Sequence, residues 1–547
     1  MLVLLCLLPA FALAQGDDPF EDDPFQAQQS SMNRGTYHRS SNWRPAQYAS
    51  QEALVRAMTE QKIKRSLKYR FESVAIVSDG RNAPFWFSAN RHGLVPVSDR
   101  MSYARYGMFG QMLLPSTFSV KYGMDLGIGH GLEENWFVQQ IYIDFGFRCW
   151  SLSVGSKERP GILTNAELGS GSLTWSGNCK PIPQAWLGVP DYYRLGFLDG
   201  WLSLKGGLSY GMFADDKWRG QFPDGKYTDN ILFNRKEVFL KIGDRERLPV
   251  ELTCGLEMNA MFGGTMHIRG FASTDLPMES YRLPSDLKAC MKILVPLNKA
   301  GRQTRENGNT LGSWHLALDC FFDSDWSARA YYEHYFVDHS GMLGIEYKSD
   351  SEGRKRFVGY GFRRNWLDGL YGMEFNLPED WCIRNVVVEF LNTRGQCGAV
   401  YKPKDVPLRE EIDGRDGMYT HEVYDSYSHH GQAVGSPVLL SPAYNGGVSQ
   451  RFLSNRVNML HLGLGGSIGT HFDYRLKMTA TRHWGTYERP FNRPRDIFSG
   501  EISAFWLTGP SYSLKFGISA GIDSDDSGWL GNNRGVMFSI VKTWNIL

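Results

Sequence analysis

From about residue 100 the chain alternates apolar and polar side chains with period two. Between Thr117 and Ile128 one face carries Phe118, Val120, Tyr122, Met124, Leu126 and Ile128; the other carries Thr117, Ser119, Lys121, Gly123, Asp125 and Gly127. Successive side chains of a strand point to opposite faces, so this pattern predicts a β-strand with one apolar face. The division recurs around 202–212, 252–262, 474–481 and 512–520. These segments run about 9–12 residues, the length of a tilted strand crossing a bilayer, whereas soluble strands average about 5–6.

The polar faces carry both signs of charge: Lys121, Asp125, Asp144, Lys205, Glu257, Arg329, Glu333, Arg475, Lys477 and Lys515. In lipid such groups are costly. Turned into a closed interior they pair across strands or meet water, and the Gly and Ser beside them leave room for plugging loops. Trp136, Trp150, Trp201, Trp326 and Trp544 stand near segment ends, as interfacial girdles require. Closure into a barrel removes the unpaired edges that hydrocarbon does not tolerate. The expectation is an all-β protein, a large antiparallel transmembrane β-barrel of about 18 strands, with short N-terminal helical elements at the periplasmic end. The competing architecture is a soluble β-sandwich or secreted hydrolase, its apolar face buried against a second sheet.

Chain organisation follows. Residues 1–14 read as a signal peptide, with an apolar run from Leu2 to Leu8 and an Ala12-Leu13-Ala14 cleavage site. Residues 15–50, with the acidic repeat Asp17-Asp18-Pro19-Phe20-Glu21 and Asp22-Asp23-Pro24-Phe25, read as a disordered acidic and polar segment. Residues 51–82 read as a short periplasmic helical region: Ser50 suits an N-cap, and Ala53, Leu54, Ala57 and Met58 share a face over Gln51–Leu67. The barrel is then expected over 83–547, with long insertions near 264–312 and 398–457 as external loops or plugs, and a short helix at Pro284–Leu294.

Composition narrows the function classes. The net charge is +1, which gives no electrostatic case for nucleic acid. Seven widely spaced cysteines follow the signal, with no CxxC pair, so neither a disulfide framework nor a zinc site is expected. Asp523-Ser524-Asp525-Asp526-Ser527-Gly528 opens like a calcium loop but has Arg534 where a bidentate Glu belongs. His421-Glu422 lacks the second His of a zinc motif, and His429-His430 has no defined partner. No GxSxG elbow supports a hydrolase. The expectation is therefore no catalytic residue, no metal and no cofactor, in a protein that is not an enzyme.

Sugar-binding chemistry, by contrast, is plentiful. Aromatic faces stack on sugar C–H surfaces, and planar polar groups read hydroxyls. Phe85 to Gly93, Leu173 to Gln184 and Tyr331 to Gly341 are dense in both. The glycan-binding candidates are Trp86, Trp175, Asn178, Glu333, His334, Tyr335, Asp338 and His339, with Trp484 and Asn532 further along.

These segments also carry a resemblance. Ala83-Pro84-Phe85-Trp86 with Asn90-Arg91-His92-Gly93, Gly155-Ser156-Lys157-Glu158, Trp175-Ser176-Gly177-Asn178, Tyr331-Tyr332-Glu333-His334-Tyr335-Phe336, Asp338-His339-Ser340-Gly341, Glu389-Phe390-Leu391-Asn392-Thr393, Asn455-Arg456-Val457, Trp484-Gly485-Thr486-Tyr487 and Leu530-Gly531-Asn532-Asn533 occur in order from about residue 71 to the C-terminus. The series resembles the capsule assembly Wzi family, in its form from Bacteroides-like bacteria. That resemblance implies an 18-stranded outer-membrane barrel with a lectin-like part in attaching capsular polysaccharide, and no catalysis. Cys179-Lys180 departs from the pattern, which has a small residue and Arg there, and the acidic N-terminal extension lies outside it. The expected partners are capsular polysaccharide and outer-membrane lipid, with no nucleic acid, in a monomer at the cell outer membrane. A sugar-permeable porin is the alternative, and an outer-membrane hydrolase the more distant one.

Overall fold

The computed structural model describes residues 64–547 apart from 115–116, 197–199, 223–224, 246, 270–277, 295–307, 323–325, 338–341, 343–344, 350–354, 361–366, 379, 397–416, 510–512 and 546–547. One antiparallel sheet of 18 strands dominates it. The strands are β1 (Lys64–Asp79), β2 (Arg100–Leu114), β3 (Phe118–His130), β4 (Trp136–Phe147), β5 (Trp150–Ser156) and β6 (Gln184–Arg194). Next come β7 (Leu202–Met212), β8 (Leu232–Ile242), β9 (Val250–Phe262), β10 (Asn309–Phe321), β11 (Ser327–Val337) and β12 (Gly369–Asn376). The last are β13 (Ile383–Asn392), β14 (Val457–Ile468), β15 (Phe472–Gly485), β16 (Pro490–Thr508), β17 (Leu514–Asp525) and β18 (Arg534–Asn545). β1 pairs with β2 on one side and with β18 on the other, Glu72 facing Val541, and this closes the barrel.

The sequence alternation becomes the two faces of the wall. In β3, Met124, Leu126 and Ile128 are exposed on the outside, Ile128 to 66%, while Asp125 between them is fully buried. The outer wall repeats this with Ile141, Ile143 and Phe145, Leu460, Ile502, Ile518 and Phe538. A wall of exposed aliphatic and aromatic side chains is stable only in hydrocarbon.

Two expectations need correction. Residues 64–79 form β1, not part of a helical region at 51–82, and the barrel begins at Lys64 rather than at residue 83; residues 51–63 lie outside those described. Lys68, Arg70 and Glu72 alternate with Leu67, Tyr69 and Phe71, and a barrel in lipid needs this strand to seal the edges of β2 and β18. Second, the described helices are not at the end shared by Lys64 and Asn545. α1 (Phe85–Ser88), α2 (Asp216–Gly220) and α3 (Leu287–Leu294) all belong to connections at the opposite end.

The two ends differ in loop length. At the end shared by Lys64 and Asn545 the connections are short, such as 148–149 and 469–471. At the other end they include 80–99, 157–183, 213–231, 263–308 and 393–456. Long loops mark the extracellular end of such barrels. The 263–308 connection stays outside the lumen in part: α3 lays Ala289 and Ile293 against Ala260 and Phe262 on the outer wall, and the Lys236 ammonium donates to the Ile293 carbonyl at 2.5 Å.

Candidate functional site

Three of the long connections, 80–99, 157–183 and the described part of 393–456, fold back into the extracellular half of the lumen. Leu173, Val434 and Leu439 are fully buried there, in one apolar cluster with Phe85, Trp86 and Trp175 and with wall residues Phe239, Tyr331 and Leu391. A second cluster packs Ala83, Phe87, Leu94 and Val95 against Val74, Ile76, Met101 and Met537 of the wall.

Buried carboxylates on the wall fix these loops by their backbone amides. Glu333 on β11 accepts from the N–H of Leu173 at 2.9 Å, the N–H of Thr174 at 3.1 Å and the hydroxyl of Ser172 at 2.8 Å. Glu389 on β13 accepts from the Ser170 N–H at 2.6 Å and from the Tyr331 hydroxyl at 2.5 Å. Asp523 on β17 accepts from the Phe85 N–H at 3.0 Å and the Asn533 amide at 2.9 Å, which anchors α1. A carboxylate takes several N–H donors without needing a cation, so each clamp is satisfied where it is buried.

Ion pairs complete the plug. Arg105 on β2 bonds Glu72 and Asp125, each at 3.0 Å, and reaches Glu158 of the 157–183 loop at 3.3 Å. Arg235 pairs with Glu257 at 2.8 Å and with Glu237, its guanidinium 4.4 Å from the centre of the Trp175 ring. Lys477 pairs with Glu501 at 2.8 Å and lies 4.3 Å from the centre of the Trp86 ring.

Residues 417–456 of the 393–456 connection form a polar core with the 213–231 connection. Asp215 and Arg219 pair at 2.8 Å across α2, and Arg219 donates to the Ser428 carbonyl at 2.6 Å. Asp425 meets Arg451 at 3.1 Å and Lys226 at 3.4 Å. His429 Nδ1–H donates to the Lys180 carbonyl at 2.8 Å, and Nε2 accepts the Ala214 N–H at 3.1 Å. Burial, with His430 beside it, holds His429 down to about 3, so it is neutral. Burial likewise lowers His421 to about 4, and its Nδ1 accepts the Val423 N–H at 3.0 Å.

The glycan candidates thus divide by place. Trp86 donates to Thr479 at 3.1 Å and Trp175 to the Arg159 carbonyl at 2.9 Å, both buried. Asn178 accepts from the Asn90 N–H at 3.1 Å and donates to the Ala433 carbonyl at 3.0 Å. His334 Nδ1–H donates to the Asp368 carbonyl at 2.8 Å, and the Tyr335 hydroxyl to the Asp368 carboxylate at 3.1 Å. With Glu333 these six are buried and hydrogen-bonded within the protein; five belong to the plug and its seat, whereas His334, next to the inward Glu333, lies on the outer face of β11. Asp338 and His339 lie outside the described residues. Asn532 is exposed, but its Oδ1 accepts the Asp525 N–H at 2.8 Å. Trp484 is half-buried on the outer wall, with the Arg394 guanidinium 4.3 Å from the centre of its ring.

Asp523 and Asp525, which open the segment that begins like a calcium loop, serve backbone: Asp525 accepts the N–H groups of Ser527 at 2.8 Å and Leu530 at 2.7 Å. Cys179 is buried, which pushes its thiol up to about 12 and leaves it unreactive. Sequence reasoning missed Arg105, Glu158, Glu389, Arg219 and Asp425. Alternation places Arg105 and Glu389 inward, and Glu158 and Glu389 stand in segments that carry the resemblance, but no local pattern assigned any of them its partner. Near the other mouth, a cavity of 280 Å³ is lined by Asp191, Tyr192, Arg194, Lys205, Lys241 and Glu251 among others.

No protein-family model matches the sequence, and no curated protein does. Among solved structures the fold is similar to Wzi of Escherichia coli, described as an outer membrane protein involved in group 1 capsule assembly and a carbohydrate-binding β-barrel. The TM-score is 0.50 at 11% identity, over 86% of this chain and 83% of that one. OccK5 (OpdH) of Pseudomonas aeruginosa is also similar, with a TM-score of 0.43 at 8% identity, over 88% of this chain and 99% of that one. At such identities the likeness to Wzi bears on fold alone. Together with the closed sheet and the apolar outer wall, it establishes the chain as an 18-stranded antiparallel β-barrel of the outer membrane.

Proposed function

We propose that this barrel binds capsular or other surface polysaccharide and helps assemble or attach it at the cell surface, as a monomer and without catalysing a reaction. The observation that carries this is the plug. Glu333, Glu389 and Asp523 fix two of the three connections in the lumen, and the third bonds the 157–183 loop through Gly435 and Ala433, so the extracellular end of the lumen is closed by a fixed floor. A preorganised surface suits a long polymer, because little ordering entropy is lost on binding. The likeness of fold to a barrel described as carbohydrate-binding supports the same reading.

Deletion of the gene in a strain with intact polysaccharide synthesis tests it. Capsule shed into the medium is the expected result; capsule that stays cell-bound overturns it. Purified protein should retain the host's own polysaccharide in a binding screen and show little single-channel conductance in planar bilayers. Large conductance favours a sugar porin instead. Release of a product from glycan or lipid, lost on changing one His or Ser, would make it an enzyme.

A further inference from the structure

Outside the lumen, on the flank of β13 to β16, side chains of adjacent strands stack in rows. One row is apolar and faces lipid: Phe390, Leu460, Ala480 and Phe498 are register partners in turn, with Leu460 exposed to 60%. Two residues nearer the extracellular end the row becomes Asn392, Asn458, Arg482 and Asp496, again partners in turn, and Arg482 and Asp496 neutralise each other at 2.6 Å. Two residues further stand Arg394, Arg456 and Trp484. At about 3.3 Å per residue, this last row lies some 13 Å along the tilted strands beyond the lipid-facing row, or about 10 Å along the barrel axis, which suits the interfacial zone.

The guanidinium groups here are held in place. Arg394 lies 4.3 Å from the centre of the Trp484 ring, and Arg456 lies 4.2 Å from that of Tyr487. The Tyr487 hydroxyl donates to the Arg394 carbonyl at 3.2 Å, and Arg456 Nε donates to the same carbonyl at 3.3 Å. Among the described residues neither Arg394 nor Arg456 has a carboxylate within 4.0 Å. Arg456 commits its Nε to that carbonyl, but a guanidinium stacked by its face keeps its terminal N–H groups turned away from the ring, and these match a phosphate in bidentate fashion.

We propose that Arg394 and Arg456, stacked on Trp484 and Tyr487, hold the phosphate of a phosphorylated glycolipid in the outer leaflet of the membrane. The position decides for lipid over polysaccharide: the patch faces sideways above the apolar wall, not upward from the plug. Trp at this level is the expected interfacial anchor. The site is separate from the plug, and its test is independent of the polysaccharide reading.

Purified full-length protein in neutral detergent is titrated with diphosphoryl lipid A, with the dephosphorylated lipid, with inorganic phosphate and with an acidic polysaccharide. Diphosphoryl lipid A should bind at least about tenfold more tightly than the dephosphorylated lipid or inorganic phosphate, and R394Q/R456Q should lose about that factor. Equal binding of both lipids, unchanged affinity in the double variant, or inorganic phosphate bound as tightly overturns the proposal. So does displacement of the lipid by the polysaccharide, which makes the patch a glycan site. If the double variant does not migrate as a folded barrel, Tyr487→Ala, at an exposed loop position, replaces it and should weaken lipid A about threefold by freeing one guanidinium; no change counts against the site.

Discussion

Glu333 holds Leu173 by accepting its backbone N–H at 2.9 Å, although the two stand 160 residues apart in the chain. The same carboxylate serves Thr174 N–H and the hydroxyls of Ser172 and Ser313. Glu333→Ala strands these donors in a buried site. The variant should lose about 3 kcal/mol, read as a lower unfolding midpoint in detergent, and its loosened plug should raise bilayer conductance. An unchanged midpoint and unchanged conductance would show that the clamp is dispensable.

Arg105 is the next clamp, because three carboxylates converge on it: Glu72, Asp125 and Glu158. Arg105→Leu leaves Asp125 and Glu158 buried without their cation and Glu72 with Arg70 alone. A loss of about 3–5 kcal/mol is expected, and Arg105→Lys should recover only part of it, since one ammonium cannot reach three carboxylates with the same fork. Unfolding midpoints of the two variants, measured side by side, check the order.

The plug should weaken in acid. His429 is buried and neutral, held at about 3 against an ordinary value of 6.5. The unfolded chain therefore takes up the proton first. Stability is complete above pH 6.5 and is lost as pH falls from there towards 3, by on the order of 3 kcal/mol at pH 4. His421, held at about 4, acts in the same direction. His429→Gln, whose amide can replace both hydrogen bonds, should flatten the curve of unfolding midpoint against pH. A curve as steep as wild type would assign the acid sensitivity elsewhere.

Tyr331 reaches Glu389 across an intervening strand. Its partner on β12 is Gly372, and the partner of Gly372 on β13 is Glu389. The Tyr331 ring lies flat over Gly372, where a Cβ would collide with it. Gly372→Val should displace the ring, break the 2.5 Å bond to Glu389 and cost about 1–3 kcal/mol. Tyr331→Phe at the same site separates the lost hydroxyl from the steric effect, and the glycine variant should unfold at the lower temperature of the two.

The strand faces were legible because they are local. Ile128 outside and Asp125 inside follow from alternation alone, as does an even, large strand number from spacing and length. The helix read at Gln51–Leu67 shows the limit of that reasoning. Lys64 to Asp79 also alternates, yet a helical face near Ala53 competed, and only the need to seal β2 against β18 decides for strand.

The candidate site was less legible. Trp175, Asn178 and Glu333 have sugar-binding chemistry as residue types, but burial converts them into scaffold. Arg394, Arg456 and Trp484 come from three separate segments, and nothing in any one of them announces the others.

By itself the sequence determined a membrane wall, because a period of two places each side chain in lipid or lumen wherever the strand runs. Tertiary structure decided which groups meet inside that wall. The pairing of Glu333 with Leu173, or of Arg105 with Glu158, depends on loops returning through a closed cylinder, and no local pattern encodes which buried carboxylate will receive which distant amide.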